Sequence, residues 1–366
     1  MTYKKAFLCI SLVFILALII PHTTSAHEAY VIDQDEFWSQ LHTPFSASAF
    51  NAWKSPHNVE ITIKVAIGVL VLLGANYLFR KSKLGQIVHR WFDSFAYISP
   101  LFTRAAISAS LFLSAYTWHF LGPEMPLTEF PLAGIMRALL FAASIMIGFG
   151  FLTELGAILA GIVFTVGFSI YGLYLVTYLQ YVGELIVLFL FGMRRLSVDQ
   201  FILGPLKRLV HWEKYEISIV RICYGLALMF AAITVKFGHP ALTSEVATTY
   251  NLSQFHWLFP SDPLLIVLGA GIAEAAIGLF IILGLELRLM IFIGLFYITL
   301  SLLYFKESVW PHWMLYGTSL SLLFQPEIFT IDHFLFSKHR KKHRWYLRPF
   351  TPHTPHGKSS HKSATR

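Results

Sequence analysis

Charge is scarce in this chain: 13% of its 366 residues are charged, and 56% are hydrophobic. An ordinary soluble domain carries about 25% and 45–50%, so a string of soluble domains is excluded as the main content. Cysteine occurs twice, at Cys9 and Cys223, in separate apolar runs. That excludes a disulfide framework, a Cys-x-x-Cys redox pair and an iron–sulfur ligand set. No His-Glu-x-x-His, Gly-x-x-x-x-Gly-Lys or Gly-x-Gly-x-x-Gly pattern falls on a suitable element. Acids are absent after Asp332, whereas nine Lys and Arg residues follow it. The formal charge of +8 therefore belongs to the tail, and the rest of the chain sums to −1. This excludes a distributed nucleic-acid footprint and fits a basic cytoplasmic tail beside anionic lipid.

What is present is a series of apolar runs about 20 residues long, the length that crosses a bilayer. The first differs from the others. Lys4 and Lys5 precede an apolar stretch at 6–20, then Pro21 and the small residues Thr24-Ser25-Ala26, the three parts of a secretory signal cut after Ala26. The alternative is an uncleaved anchor, for which 6–20 is short. An exported segment at 27–60 leads to a first transmembrane helix at 61–79, closed by Arg80-Lys81-Ser82-Lys83. Further spans are expected near 103–121, 133–151, 155–177, 180–193, 217–237, 263–283, 287–305 and 311–325. Arg194, Arg195, Lys207, Arg208 and Lys214 and the basic tail share the side of Arg80, so the mature N-terminus is exported and the C-terminus cytoplasmic. The expected location is the plasma (inner) membrane, with the lipid bilayer as one partner and no nucleic acid. Residues 196–216 read as an interfacial linker.

That linker divides two similar halves, 100–195 and 217–327. Thr103-Arg104-Ala105-Ala106-Ile107 answers Val220-Arg221-Ile222-Cys223-Tyr224, and Trp118-His119-Phe120 answers Val235-Lys236-Phe237 at the same offset. Ile147-Gly148-Phe149 resembles Ile277-Gly278-Leu279, with Glu154 and Glu286 just beyond, and Tyr181-Val182-Gly183 resembles Leu315-Tyr316-Gly317. An even number of spans per half makes this a parallel repeat. The second half resembles the DoxX/DoxD family of four-helix membrane proteins in Arg221, Lys236-Phe237-Gly238, Glu274 with Gly278, and Leu283-Gly284-Leu285-Glu286-Leu287-Arg288. The first half resembles it as a degenerate copy, in which a gapless match puts Ser144 where Glu274 stands. The resemblance implies an all-α polytopic protein of two four-helix DoxX-like bundles behind a leading helix. It also implies a place beside thiosulfate:quinone oxidoreductase subunits or other membrane redox complexes, with membrane or exported redox proteins as partners.

Glu274 lies about 11 residues, roughly 16 Å, into its helix, where an unpaired carboxylate is costly. Ala270, Gly271, Ala275 and Gly278 beside it allow a close neighbour. Lys236, Arg221 and Arg288 are the cations expected to join it in one polar centre. Two readings stand: a quinone or proton site, with quinone as the cofactor, or an ion pair locking helices. A membrane scaffold or a small-solute or ion transporter is the rival class. In the first half, Arg137 snorkels or joins Glu184 and His119 in a second cluster. The tail histidines His339, His343, His353, His356 and His361 read as a solvated tract. If His27 begins the mature chain, its amino group and imidazole form a copper chelate, with His42 or His57 as a further ligand.

Overall fold

The computed structural model describes residues 32, 34–96, 98–192, 198, 215–252, 260–305, 309–325 and 328–336. The expected signal 1–26, His27, nearly all of the linker and most of the basic tail lie outside them. Among the described residues every named element is helical, and the only β feature is an isolated bridge between His119 and Pro126.

Helix α1 (Gln34–Leu41) and a 3-10 turn at Ser48–Lys54 cover one end of the bundle, here called the distal end. Helix α2 (Pro56–Lys81) runs from there to the proximal end, where α3 (Lys83–Ser94) begins. Four helices follow: α4 (Ser99–Thr117), α5 (Ala133–Phe149), α6 (Thr153–Tyr171) and α7 (Leu179–Phe191). A second series comprises α8 (Glu216–Ala231), with a π-helical continuation Ala232–Phe237, then α9 (Pro240–Thr249), α10 (Pro263–Leu283), α11 (Leu287–Phe305) and α12 (Trp313–Phe324). A short α13 (Ile331–Phe336) closes the described chain.

Proline in the first turn of α2, α9 and α10 starts those helices where the missing N–H costs nothing. At α10, Asp262 also accepts from the Leu264 N–H at 2.9 Å. Five helical stretches are long and apolar enough to cross a membrane: Pro56–Lys81, Thr153–Phe191, Glu216–Phe237, Pro263–Leu283 and Leu287–Phe305. The 39-residue stretch is not one rod. A Cβ on Gly192 would lie 2.6 Å from a Glu154 carboxylate oxygen, so its two ends meet and the chain doubles back through the 3-10 turn Gly172–Tyr178.

Several features recur at fixed offsets in the two series. Thr153–Tyr171 and Leu287–Phe305 start and end 134 residues apart. The turns before them match: Gly150 (φ 67°) and Leu152 (φ 46°) answer Gly284 (φ 62°) and Glu286 (φ 49°), with glycine first because a left-handed cap suits it. Gly183 in α7 approaches Cys223 and Ile219 of α8, while Gly317 in α12 approaches Ala106 and Phe102 of α4. Each partner pair is 117 residues apart, and the glycines 134. The first helix of either series thus packs on the last helix of the other.

The same offsets correct the pairing read from sequence by one helical turn. Ser108 and Ser144 donate to each other's carbonyl at 2.9 and 2.8 Å where α4 crosses α5. Gly225 and Gly278 stand in those places where α8 crosses α10: a Cβ on either would sit 2.5 or 2.6 Å from the other's carbonyl oxygen. Ser144 therefore corresponds to Gly278, and Leu140, fully buried, to Glu274. The difference between the two offsets, 17 residues, is taken up in the distal loop that carries α9.

Helix α2 leans on the bundle by its ends. Its middle is exposed, as at Leu70 and Val71, a surface for lipid tails. Asn58 donates to Asp262 at 2.6 Å at one end, and Asn76 and Arg80 hold the acids Glu286 and Asp332 at the other. Helix α3 exposes Leu84, Ile87 and Trp91 on one side, with Lys83 and Arg90 nearby, a pattern suited to the headgroup boundary.

Candidate functional site

Lys236 sits on the π-helical turn that ends the α8 run, a distortion often found where a helix carries function. Its ammonium lies 2.7 Å from Oε2 of Glu274 on α10. The side chains keep 6% and 15% of their surface. Two glycines permit the approach: Gly278 lies against Gly225, and a Cβ on Gly271 would meet the Phe237 ring at 2.5 Å and Lys236 Cβ at 3.1 Å. Ile272 and Leu279, exposed on the same helix, lie two and five residues from Glu274 and so on its far face; the acid points into the bundle, with its Oε2 fully buried. Chemically the pair can hold a charge within an apolar region and move a proton between acid and amine.

The expectation of one four-residue centre is corrected. Arg221 precedes Lys236 by 15 residues, about 22 Å along the helix, and donates to the Phe329 carbonyl at 2.9 Å at the proximal end. Arg288 lies beyond the α10–α11 turn. It pairs with Asp93, bonds His89 Nδ1 at 2.5 Å and donates to the Leu323 carbonyl at 3.2 Å. These two arginines tie backbone turns and α3 together, and Glu274 keeps Lys236 alone of the three.

In the first series Arg137 stacks 4.2 Å over the Trp118 ring and donates to the Ala115 carbonyl at 2.8 Å, reaching the distal end as a snorkelling cation does. His119 bonds the Thr117 carbonyl through Nδ1 at 2.7 Å, and burial lowers its pKa. Glu184 is buried beneath neither of them. His42, offered as a copper ligand, bonds the Trp38 carbonyl through Nδ1 at 2.6 Å. Among the described residues no three His, Cys, Asp or Glu side chains converge on a metal position.

Two polar clusters escaped the sequence reading. Arg80 meets Asp332 at 2.5 Å and Glu286 at 3.4 Å, and Asp332 accepts from the Glu286 and Leu287 N–H groups at 3.0 and 3.1 Å, capping α11. At the distal end Glu124 is fully buried and accepts from Tyr178 at 2.5 Å and Tyr174 at 3.1 Å. Burial pushes its carboxyl up to about 7, partly offset by the tyrosine hydroxyls and nearby His312. The only signal for it was an acid flanked by Gly-Pro and Met-Pro in a short loop, with tyrosines one helical turn apart some fifty residues later.

Neither protein-family models, nor curated proteins, nor solved structures yield a match to this chain. The fold and its buried charges define a helical, multi-pass membrane protein in contact with lipid.

Proposed function

We propose that this chain is a plasma-membrane protein of the DoxX type, a quinone-interacting or accessory subunit of a membrane redox system, with the Lys236–Glu274 pair at its centre. The observation that carries this reading is the pair itself: an acid and a cation 2.7 Å apart inside two apolar helices, the acid keeping 15% of its side-chain surface. A quinone taking up two electrons also takes two protons. The proton shared within the Lys236–Glu274 pair goes to one headgroup oxygen and is replaced from water, the second oxygen takes its proton from water, and the two electrons come from a redox partner chain.

The matched helix bounds and paired glycine contacts support a duplicated four-helix unit behind a leading helix. The reading includes nine membrane crossings, a signal cut after Ala26 and a cytoplasmic tail. Quinone co-extracted with the purified full chain tests it. The wild type should carry bound quinone, and Glu274→Gln and Lys236→Met, eluting at the same volume, should lose most of it. A quinone-free wild type, or equal content in all three, overturns the reading. A second reading, ion transport, is favoured by one observation: a buried carboxylate where the two series meet, at Glu184.

A further inference from the structure

We propose that the cleft between the two helical series binds one hard, oxygen-preferring cation, held by Glu184 and Glu216 with Thr103, Ser321 and Gln325. The cleft is lined by α4 (Thr103), α7 (Glu184), α8 (Glu216, Ile217, Val220) and α12 with the residue that caps it (Ser321, Leu322, Gln325). These are the helices that exchange between the series, the place where repeat-built membrane proteins put ion sites. Every polar side chain in the lining offers oxygen, and none offers sulfur or imidazole. Such a donor set suits sodium, calcium or magnesium and not a soft metal.

The Glu184 side chain is buried with 3% of the residue exposed, and its Oε1 has no hydrogen-bond partner among the described residues. A buried carboxylate is retained when something compensates it. The Glu216 carboxylate, close enough to act on it electrostatically, adds charge of the same sign. The hydroxyls are oriented to help. Thr103 Oγ1 donates to the Pro100 carbonyl at 3.3 Å, and Ser99 and Ser321 share a hydrogen bond of 2.8 Å, leaving oxygen lone pairs for a cation. The cavity volume is about 10 Å³, close to that of one water or small ion, and far too small for a quinone.

The correspondence between the series strengthens the case. At the established offsets Glu184 answers Thr318, and Glu216 answers Ser99. Around this one cleft, which Thr103 and its counterpart Val220 both line, the α4–α12 contact therefore carries two hydroxyls where the α7–α8 contact carries two acids.

The test is a thermal-shift titration of the purified full chain, stripped with chelator and held at constant ionic strength with choline chloride. Sodium, potassium, calcium and magnesium chlorides are added in separate arms. At least one cation should raise Tm saturably above the choline control, the arm identifying which. Glu184→Gln should weaken that midpoint at least tenfold while leaving co-extracted quinone unchanged, which separates this site from the Lys236–Glu274 pair. If Glu184→Gln does not fold, Glu216→Gln is read in the same way. No saturable shift with any of the four, as when Glu184 is merely protonated, or an unchanged midpoint in a folded variant, overturns the proposal.

Discussion

Three of the buried charged groups among the described residues are compensated by three different geometries, and the consequences differ residue by residue. Arg80 and Asp332 neutralise each other and finish a helix cap. Lys236 and Glu274 neutralise each other across a crossing that glycines make thin. Glu124 has no such cation within an ion-pair distance among the described residues; tyrosines hold it instead, and its pKa stands near 7. The unfolded chain releases this proton near 4.5 and the folded chain only near 7. Between those values the folded state binds more protons, so stability falls as pH rises, by about 3 kcal/mol in all. His119, with its lowered pKa, acts oppositely, losing stability as pH falls through the ordinary histidine value. The difference between wild type and Glu124→Gln isolates the acid. Thermal unfolding from pH 4 to pH 8 should show a decline in the wild type that the variant lacks, and parallel curves would remove Glu124 as the cause.

Among the elements, apolar length was the legible property. The runs read at 263–283 and 287–305 coincide with Pro263–Leu283 and Leu287–Phe305. Ends set by local chemistry were not legible from hydropathy. Helix α4 begins at Ser99, four residues before the expected 103, because Ser99-Pro100 starts it, and α6 stops at Tyr171 because Gly172 turns at φ 55°. Amphipathic pieces such as α1, α3 and α9 have no apolar run to announce them. Site partners were legible where helical spacing brought them together, as for Glu274 with the small residues around it, and where a cation and an acid both fell inside apolar runs, as for Lys236 with Glu274. Arg80 with Asp332, 252 residues apart, needed the fold. The small residues themselves make a prediction. Gly278→Ala places a methyl 2.6 Å from the Gly225 carbonyl oxygen and should cost about 1–3 kcal/mol by overpacking. Ser144→Ala at the corresponding crossing loses one interhelical hydrogen bond and should cost about 0.6 kcal/mol. Unfolding in mixed detergent should rank them in that order; an equal cost would mean that the crossings are not packed alike.

For the whole molecule, the described helices α2, α4, α5, α6, α7, α8, α10, α11 and α12 lead alternately between the distal and proximal ends, yet only five stretches pass the length and apolarity needed to span by themselves. The gap has three sources: α6 and α7 form one of the five stretches, α4 passes only together with α3, and α5 and α12 are short. Helix α7 has 13 residues and α12 has 12, against about 20 for a full crossing. Each is preceded by a 3-10 segment, Gly172–Tyr178 or Trp310–His312, and much of each is buried against the first helix of the other series rather than lipid. A short helix sheltered by protein can complete a crossing that an isolated one could not. Arg80, Arg90, Arg221 and Arg288 gather at the proximal end, the end that the proposed topology turns to the cytoplasm. Cysteine labelling decides between nine crossings and fewer. In a Cys223→Ala background, Leu173→Cys at the distal turn and Phe151→Cys at the proximal turn are both exposed sites, at 69% and 44%. An impermeant maleimide added to intact cells should label Leu173→Cys and reach Phe151→Cys only after permeabilisation. If Leu173→Cys is shielded until permeabilisation, α6 and α7 turn back inside the membrane, and the crossing count falls by two.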